Sequence, residues 1–183
     1  MKIEKTSFKD LIICIPSVFK DERGYFYESY KEREFIEKTG ISVTFVQDNQ
    51  SQSTYGVLRG LHFQIGEMAQ AKLVRVLEGE VLDVVVDLRK EEPTFGKSYS
   101  VVLSEANKKQ LFIPRGFAHG FLVLSEKATF FYKCDNYYHK ESERGLQYND
   151  PSLQIDWQFN EKELILSEKD KHHPDLKTLL SQL

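Results

Sequence analysis

Cysteine is nearly absent from this chain: its 183 residues hold only Cys14 and Cys134. Two lone cysteines without CxxC spacing neither frame a disulfide scaffold nor build a thiolate metal knuckle. Proline is sparse, five in all, and no Pro/Gly-rich tract marks a linker. One domain spanning residues 1–183 is the expected organisation. Charge of one sign is not in excess either. The 25 Lys and Arg stand against 28 Asp and Glu, a net charge of -3, which argues against nucleic-acid or anionic-membrane partners. No apolar run approaches the ~18 residues of a membrane span. The first ten residues lack the apolar core of a secretory signal, so a cytoplasmic protein is expected.

What the chain does have is aromatic residues, with 13 Phe and 9 Tyr, a composition that favours strands. Leu11 to Ile15 reads as a first strand ended by Pro16. Phe19 to Glu28 reads as a turn followed by an aromatic-rich strand. A helix is expected over Lys31 to Lys38, with Gly40 as its stop. Strand patterns then follow at short spacing: Val43–Gln47, Val57–Gln64, Lys72–Leu77, Val81–Leu88, Tyr99–Leu103, Gln110–Ile113, Gly120–Leu124 and Ala128–Lys133. Glu78-Gly79-Glu80 reads as a tight hairpin turn. Leu176, Leu179, Leu180 and Leu183 recur at helical spacing. Many short strands joined by Gly and Pro turns predict a β-barrel or sandwich with a few peripheral helices.

Strand alternation puts at least one titratable group among apolar neighbours on each of four strands. His62 follows Leu58 and Gly60; Lys72 precedes Val74 and Val76; Asp83 and Asp87 alternate with Val81 and Val85; Tyr132 follows Phe130. Taken singly, a strand His is more often structural, a strand Lys solvated and a strand Tyr packing. Together they would line a small, partly dry pocket.

Pro114-Arg115-Gly116-Phe117-Ala118-His119 is more specific: its Pro-x-Gly-x-x-His spacing resembles the second motif of the cupin superfamily. Metal-binding cupins also need a His-x-His in their first motif. Here that stretch reads His62-Phe63-Gln64, which leaves two imidazoles and no clear carboxylate where three or four good ligands are wanted. A metal-free cupin pocket is the reading, and a metal-dependent oxygenase is disfavoured.

Further motifs follow in order: Asp21 to Phe26 with Glu28, Gln47 to Ser51, Leu58 to Gln64, Ala71 to Val76, Asp83 to Arg89, Pro93 to Gly96, Pro114 to Phe121, Tyr132 to Cys134, Tyr137-Tyr138, Asn149 to Pro151 and Leu166 to Asp170. As a set they resemble the dTDP-4-dehydrorhamnose 3,5-epimerase family over nearly the whole chain. The resemblance implies a cupin-type jelly roll, no cofactor, a dTDP-linked 4-keto-6-deoxyhexose as substrate, and epimerisation at C3 and C5. It implies His62 as base with Asp170 behind it, Tyr132 as the opposing acid and Lys72 as stabiliser of the enolate. His119 and Asp83 would support the pocket. Arg23, Phe26, Glu28, Gln47, Asn49, Arg59, Tyr138, Glu143 and Lys169 would bind the nucleotide or sugar. The resemblance also implies a homodimer whose N-terminal arm carries Arg23, Phe26 and Glu28 into the partner's site.

Two positions depart from the family pattern: Ala71 replaces the usual Gly, and Tyr148 the usual Trp. Neither removes a catalytic group. The other readings are a related dTDP-keto-sugar 3- or 5-epimerase or ketoisomerase, and a non-catalytic sugar-binding cupin. On an ideal strand Arg59 points away from His62, and a bulge at Gly60 would be needed to re-aim it. Activity is expected to survive dialysis against a chelator, and elemental analysis to find no stoichiometric transition metal. Loss in chelator restored by one metal would contradict the metal-free reading.

Overall fold

The alternating apolar pattern folds as two facing antiparallel sheets. The structure is a computed structural model describing residues 1–182. Its strands are β1 (Lys2–Lys5), β2 (Ile12–Ile15), β3 (Phe19–Asp21), β4 (Gly24–Phe26), β5 (Gln47–Thr54), β6 (Leu58–Gln64), β7 (Lys72–Glu78), β8 (Glu80–Asp87), β9 (Ser98–Ser104), β10 (Gln110–Ile113), β11 (Phe117–Val123), β12 (Lys127–Cys134) and β13 (Glu143–Gly145). Helix α1 spans Glu32–Thr39 and α2 spans Leu176–Ser181. One sheet runs β1-β2-β10-β7-β12-β5 and the other β13-β6-β11-β8-β9, while β3 and β4 form a separate hairpin. From β5 to β12 the chain changes sheet at every step except β8 to β9, which pair as neighbours, and this is the strand order of a jelly roll.

Three apolar layers hold this arrangement. Val74, Val76, Val81, Val85, Phe121 and Phe130 meet in the layer containing Phe8 and Leu111. Leu82, Val84, Val86 and Leu122 turn the other way, onto Leu153, Trp157 and Leu179 of the C-terminal segment. Strands β8 and β11 are therefore buried on both faces, which is why they read as near-continuous apolar runs. Helix α1 covers Ile12, Leu73 and Phe112 with a fully buried Phe35, a contact that stabilises by roughly 1.5–3 kcal/mol. Gly40 ends that helix at φ 74°, donating its N–H to Ile36 O, as the sequence predicts.

Several sequence expectations need correction. Val43–Gln47 is not a strand; the strand is Gln47–Thr54, whose all-polar sequence carries no apolar alternation. Glu78-Gly79-Glu80 is not a hairpin turn, because β7 and β8 lie in different sheets. It is a corner between them. A Cβ on Gly79 would sit 2.1 Å from Lys127 O, so the corner requires glycine. Leu183, placed on the C-terminal helical stripe, lies outside the described residues.

Strand β6 carries the bulge that Arg59 requires. His62 pairs with His119 and Arg59 with Phe121, so three steps along β6 match two along β11. The two backbones approach closely there: a Cβ on Gly120 would lie 2.6 Å from Arg59 O and 3.1 Å from Gly60 Cα. Gly120→Ala is expected to destabilise the protein by about 1–3 kcal/mol through overpacking. The check is a lower urea midpoint at unchanged m-value; a wild-type midpoint would show that β6 and β11 can part without cost.

Candidate active site

The apolar layer between the sheets opens at one end into a cavity of about 460 Å³, lined by His62, Lys72, His119, Phe121, Tyr132 and Asp170 among others. His62 and His119 come from β6 and β11 of one sheet. Lys72 and Tyr132 come from β7 and β12 of the other. A flat ligand between the sheets would therefore have imidazoles on one side and a phenol and an amine on the other. The Lys72 ammonium stands 5.9 Å from the Tyr132 ring centre.

Each imidazole is backed by a carboxylate. His62 Nε2 lies 2.6 Å from Asp170 Oδ1, and His119 Nε2 lies 2.9 Å from Asp83 Oδ2. Burial pushes the Asp170 carboxyl up, but hydrogen bonds from His173 and His62 outweigh it and hold the group well below its ordinary value. Asp170 is thus an ionised, acceptor-only partner. The facing His62 Nε2 must carry a hydrogen, which leaves Nδ1 with the free lone pair. Asp83 differs. Burial dominates there and raises its carboxyl, against the opposing pull of His119 and Lys72. Its Oδ1 is buried without a hydrogen-bond partner among the described residues.

Burial also sets the other wall. It pushes the Lys72 ammonium down from its ordinary value, opposed by Cys134, Asp83 and Glu143. It pushes the Tyr132 phenol up, so the hydroxyl stays protonated at neutral pH. Asp87, which shares its strand face with Asp83, lies outside this cavity. It is tied to Arg89 and to Thr94 Oγ1 at 2.6 Å.

The rim carries most of the expected binding residues. Arg59 lines the cavity, and its Nε donates to Ser53 Oγ at 2.9 Å. Ser53 carries no sequence signal of that role. Glu143 and Tyr138 line an adjoining recess of about 110 Å³ with His62, Lys72 and Tyr132. Tyr138 donates its hydroxyl to Glu143 Oε2 at 3.0 Å, and Lys169 meets the same oxygen at 2.5 Å. Gln47 and Asn49 stand side by side on edge strand β5, where Gln47 Nε2 donates to Asn49 Oδ1. Asn49 pairs in register with Tyr132.

Arg23, Phe26 and Glu28 are not brought to this chain's own cavity. Arg23 and Phe26 lie on and around the β3–β4 hairpin, with the Arg23 side chain 85% exposed and Phe26 66% exposed. Arg23 pairs with Asp21, and Glu28 with Lys31.

His173 escaped sequence reasoning, although it lies one turn after Asp170. Its Nε2 lies 3.2 Å from the same Asp170 Oδ1 that His62 meets. The ligand atoms of His62, Asp170 and His173 fall within 4.8 Å of one another, a spacing that an ion could use. Both ring nitrogens already point at one carboxylate oxygen, and we read the three as a hydrogen-bonded set. Gln64, at the cupin ligand position, is committed elsewhere. Its Nε2 donates to Met68 O and Tyr137 O, and its Oε1 accepts from His139 N.

The family model described as dTDP-4-dehydrorhamnose 3,5-epimerase matches residues 5–178. The protein of that name from Shigella flexneri is 54% identical over 170 residues, covering 93% of each chain. The crystal structure of the Elizabethkingia anophelis NUHP1 epimerase has 60% sequence identity and a TM-score of 0.94, covering 97% of each chain. The Legionella pneumophila Philadelphia 1 dTDP-6-deoxy-D-glucose-3,5-epimerase, in complex with dTDP-4-keto-L-rhamnose, has 50% identity and a TM-score of 0.94 over 99% of this chain and 95% of its own. With a matching family model, close relatives of equal length and the same jelly roll, this chain belongs to the dTDP-4-dehydrorhamnose 3,5-epimerase family.

Proposed function

We propose that this chain inverts C3 and C5 of the 4-keto-6-deoxyhexose in dTDP-4-dehydro-6-deoxy-D-glucose, giving dTDP-4-dehydro-L-rhamnose. The observation that carries the mechanism is the supply of His62 and Tyr132 to one cavity from opposite sheets. Carbons beside the C4 ketone lose a proton readily because the electron pair delocalises onto oxygen as an enolate. His62 Nδ1 takes that proton, and Asp170 steadies the resulting imidazolium. Lys72 donates an N–H to the enolate oxygen within a partly dry cavity, where such a bond is worth far more than in water. Tyr132 delivers its hydroxyl proton to the opposite face of the carbon, and proton exchange with solvent restores both groups. The sugar bound in the Legionella relative has the configuration of this product.

Arg59 is suited to bidentate contact with the diphosphate. Gln47, Asn49, Tyr138, Glu143 and Lys169 would hold the sugar and nucleotide at the rim. His119 and Asp83 support the wall behind them. One domain over residues 1–183 carries these roles, in the cytoplasm. The working form is a homodimer, in which the β3–β4 arm supplies Arg23, Phe26 and Glu28 to the partner's cavity. The exposure of Phe19, Tyr25 and Phe26 supports this, since an apolar hairpin in water is adhesive. Thymine stacking on Phe26 fits the same picture.

Deuterium exchange separates the roles. His62→Ala is expected to abolish both epimerisation and C3/C5 exchange in D₂O, by roughly 10²-fold or more. Tyr132→Phe should still exchange while inversion falls sharply. Lys72→Ala should slow both. NMR of the sugar with each folded variant reads the result, and wild-type exchange by His62→Ala would remove His62 as base. Sedimentation at assay concentration is expected to give a dimer; a fully active monomer would rule out arm exchange.

A further inference from the structure

His173 belongs to none of the roles described so far, yet it sits directly behind the base. Asp170 is only 4% exposed, and its Oδ1 meets His62 Nε2 at 2.6 Å and His173 Nε2 at 3.2 Å. The two rings meet edge to face, with centroids 5.4 Å apart at 87°. The His173 side chain is itself 8% exposed. Its seat is built for a ring: a Cβ on Gly145 would fall 2.1 Å from both Nδ1 and Cε1 of His173. Gly145 is the register partner of His62 on β13. One strand pairing thus fixes the base and the floor under the second histidine together. The Asp170 backbone is held from the other side, its N–H donating to Ser167 Oγ.

We propose that His173 is a positioning residue for the base, sharing Asp170 Oδ1 with His62 and so setting both the aim and the basicity of His62. The proposal rests on the reading of His62 as the base. A second donor on the same oxygen draws off part of the negative charge that would stabilise the His62 imidazolium. His173 therefore makes His62 a weaker base than a lone His–Asp pair would be. It also holds the carboxylate against rotation, so that Oδ1 keeps facing His62. The other charged and titratable groups facing the pair are few. Lys169 comes from the Asp170 turn, paired with Glu143 of β13. His119, backed by Asp83, stands beside His62 in register on β11. Lys72 and Tyr132 face it across the cavity, Arg59 lines the same cavity, and Tyr138 lines the adjoining recess with its hydroxyl on Glu143.

Two variants separate hydrogen bonding from packing. His173→Phe keeps a ring over Gly145 and removes the N–H, whereas His173→Gln keeps a donor at similar reach. Histidine-ring NMR of the substrate-free protein follows His62, its signal assigned by loss in His62→Gln. His173→Phe is expected to raise the His62 midpoint by about half a unit to one unit, since only part of a hydrogen bond to the charged carboxylate is passed on to His62. The acid limb of kcat/KM should move to higher pH by the same amount. kcat should fall several-fold with KM little changed, and His173→Gln should restore both. His173→Leu replaces the Phe variant if that protein does not fold. An unmoved His62 midpoint, or Gln and Phe variants that behave alike, overturns the proposal. A moved midpoint with an unmoved rate limb supports the coupling and removes His62 as base instead.

Discussion

Strands β6 and β11 run backbone against backbone at Gly60 and Gly120, and the aim of the site depends on that approach. With glycine on both strands, the extra residue of the β6 bulge fits without pushing the sheet apart. Arg59 and His62, three residues apart, then reach the same cavity. His119 is pinned opposite His62 by the same register. A side chain at either glycine would separate the strands and turn one functional group outward. The chemistry therefore rests on two positions that carry none.

Electrostatics follows from this frame. A cavity between two apolar sheets penalises every ionised group, so each must find a partner or change its protonation state. Asp170 remains ionised because donors meet it from two rings. Asp83 has one ring on one oxygen, and burial wins there. Tyr132 keeps its proton for the same reason that Asp83 tends to regain one. The sheet walls thus sort acid from base by how many hydrogen bonds each group is offered.

Much of this was legible in the sequence, unevenly so. Helix α1 and its Gly40 stop were readable because propensity and capping agree there. The strands carrying His62, Lys72, Asp83 and Tyr132 were readable from apolar alternation or continuous apolar runs, whereas the strand expected from Gly120 in fact starts at Phe117 and so includes His119. Strand β5 was not. Its sequence, Gln-Asp-Asn-Gln-Ser-Gln-Ser-Thr, owes its extended form to pairing with β12, a tertiary cause that no local pattern records. The corner at Gly79 misled because a tight turn between strands looks the same whether or not the strands pair. An ideal strand turns Arg59 away from His62, and only the bulge brings both to one cavity. His173 was invisible because its partner is chosen by the fold of the last turn and by the missing side chain of Gly145, far away in sequence.

Gln64 shows how the same scaffold sets aside one kind of chemistry. The residue is only 6% exposed, and its amide spends both ends on backbone groups, at Met68, Tyr137 and His139. Those groups belong to the two loops that frame the recess beside His62 and Tyr132. An imidazole at this position, the change that would restore a cupin ligand pair, has too few donors and acceptors to hold all three. The loops would come untied before an ion was gained. In this chain, coordination and a tethered rim are alternatives written at one residue.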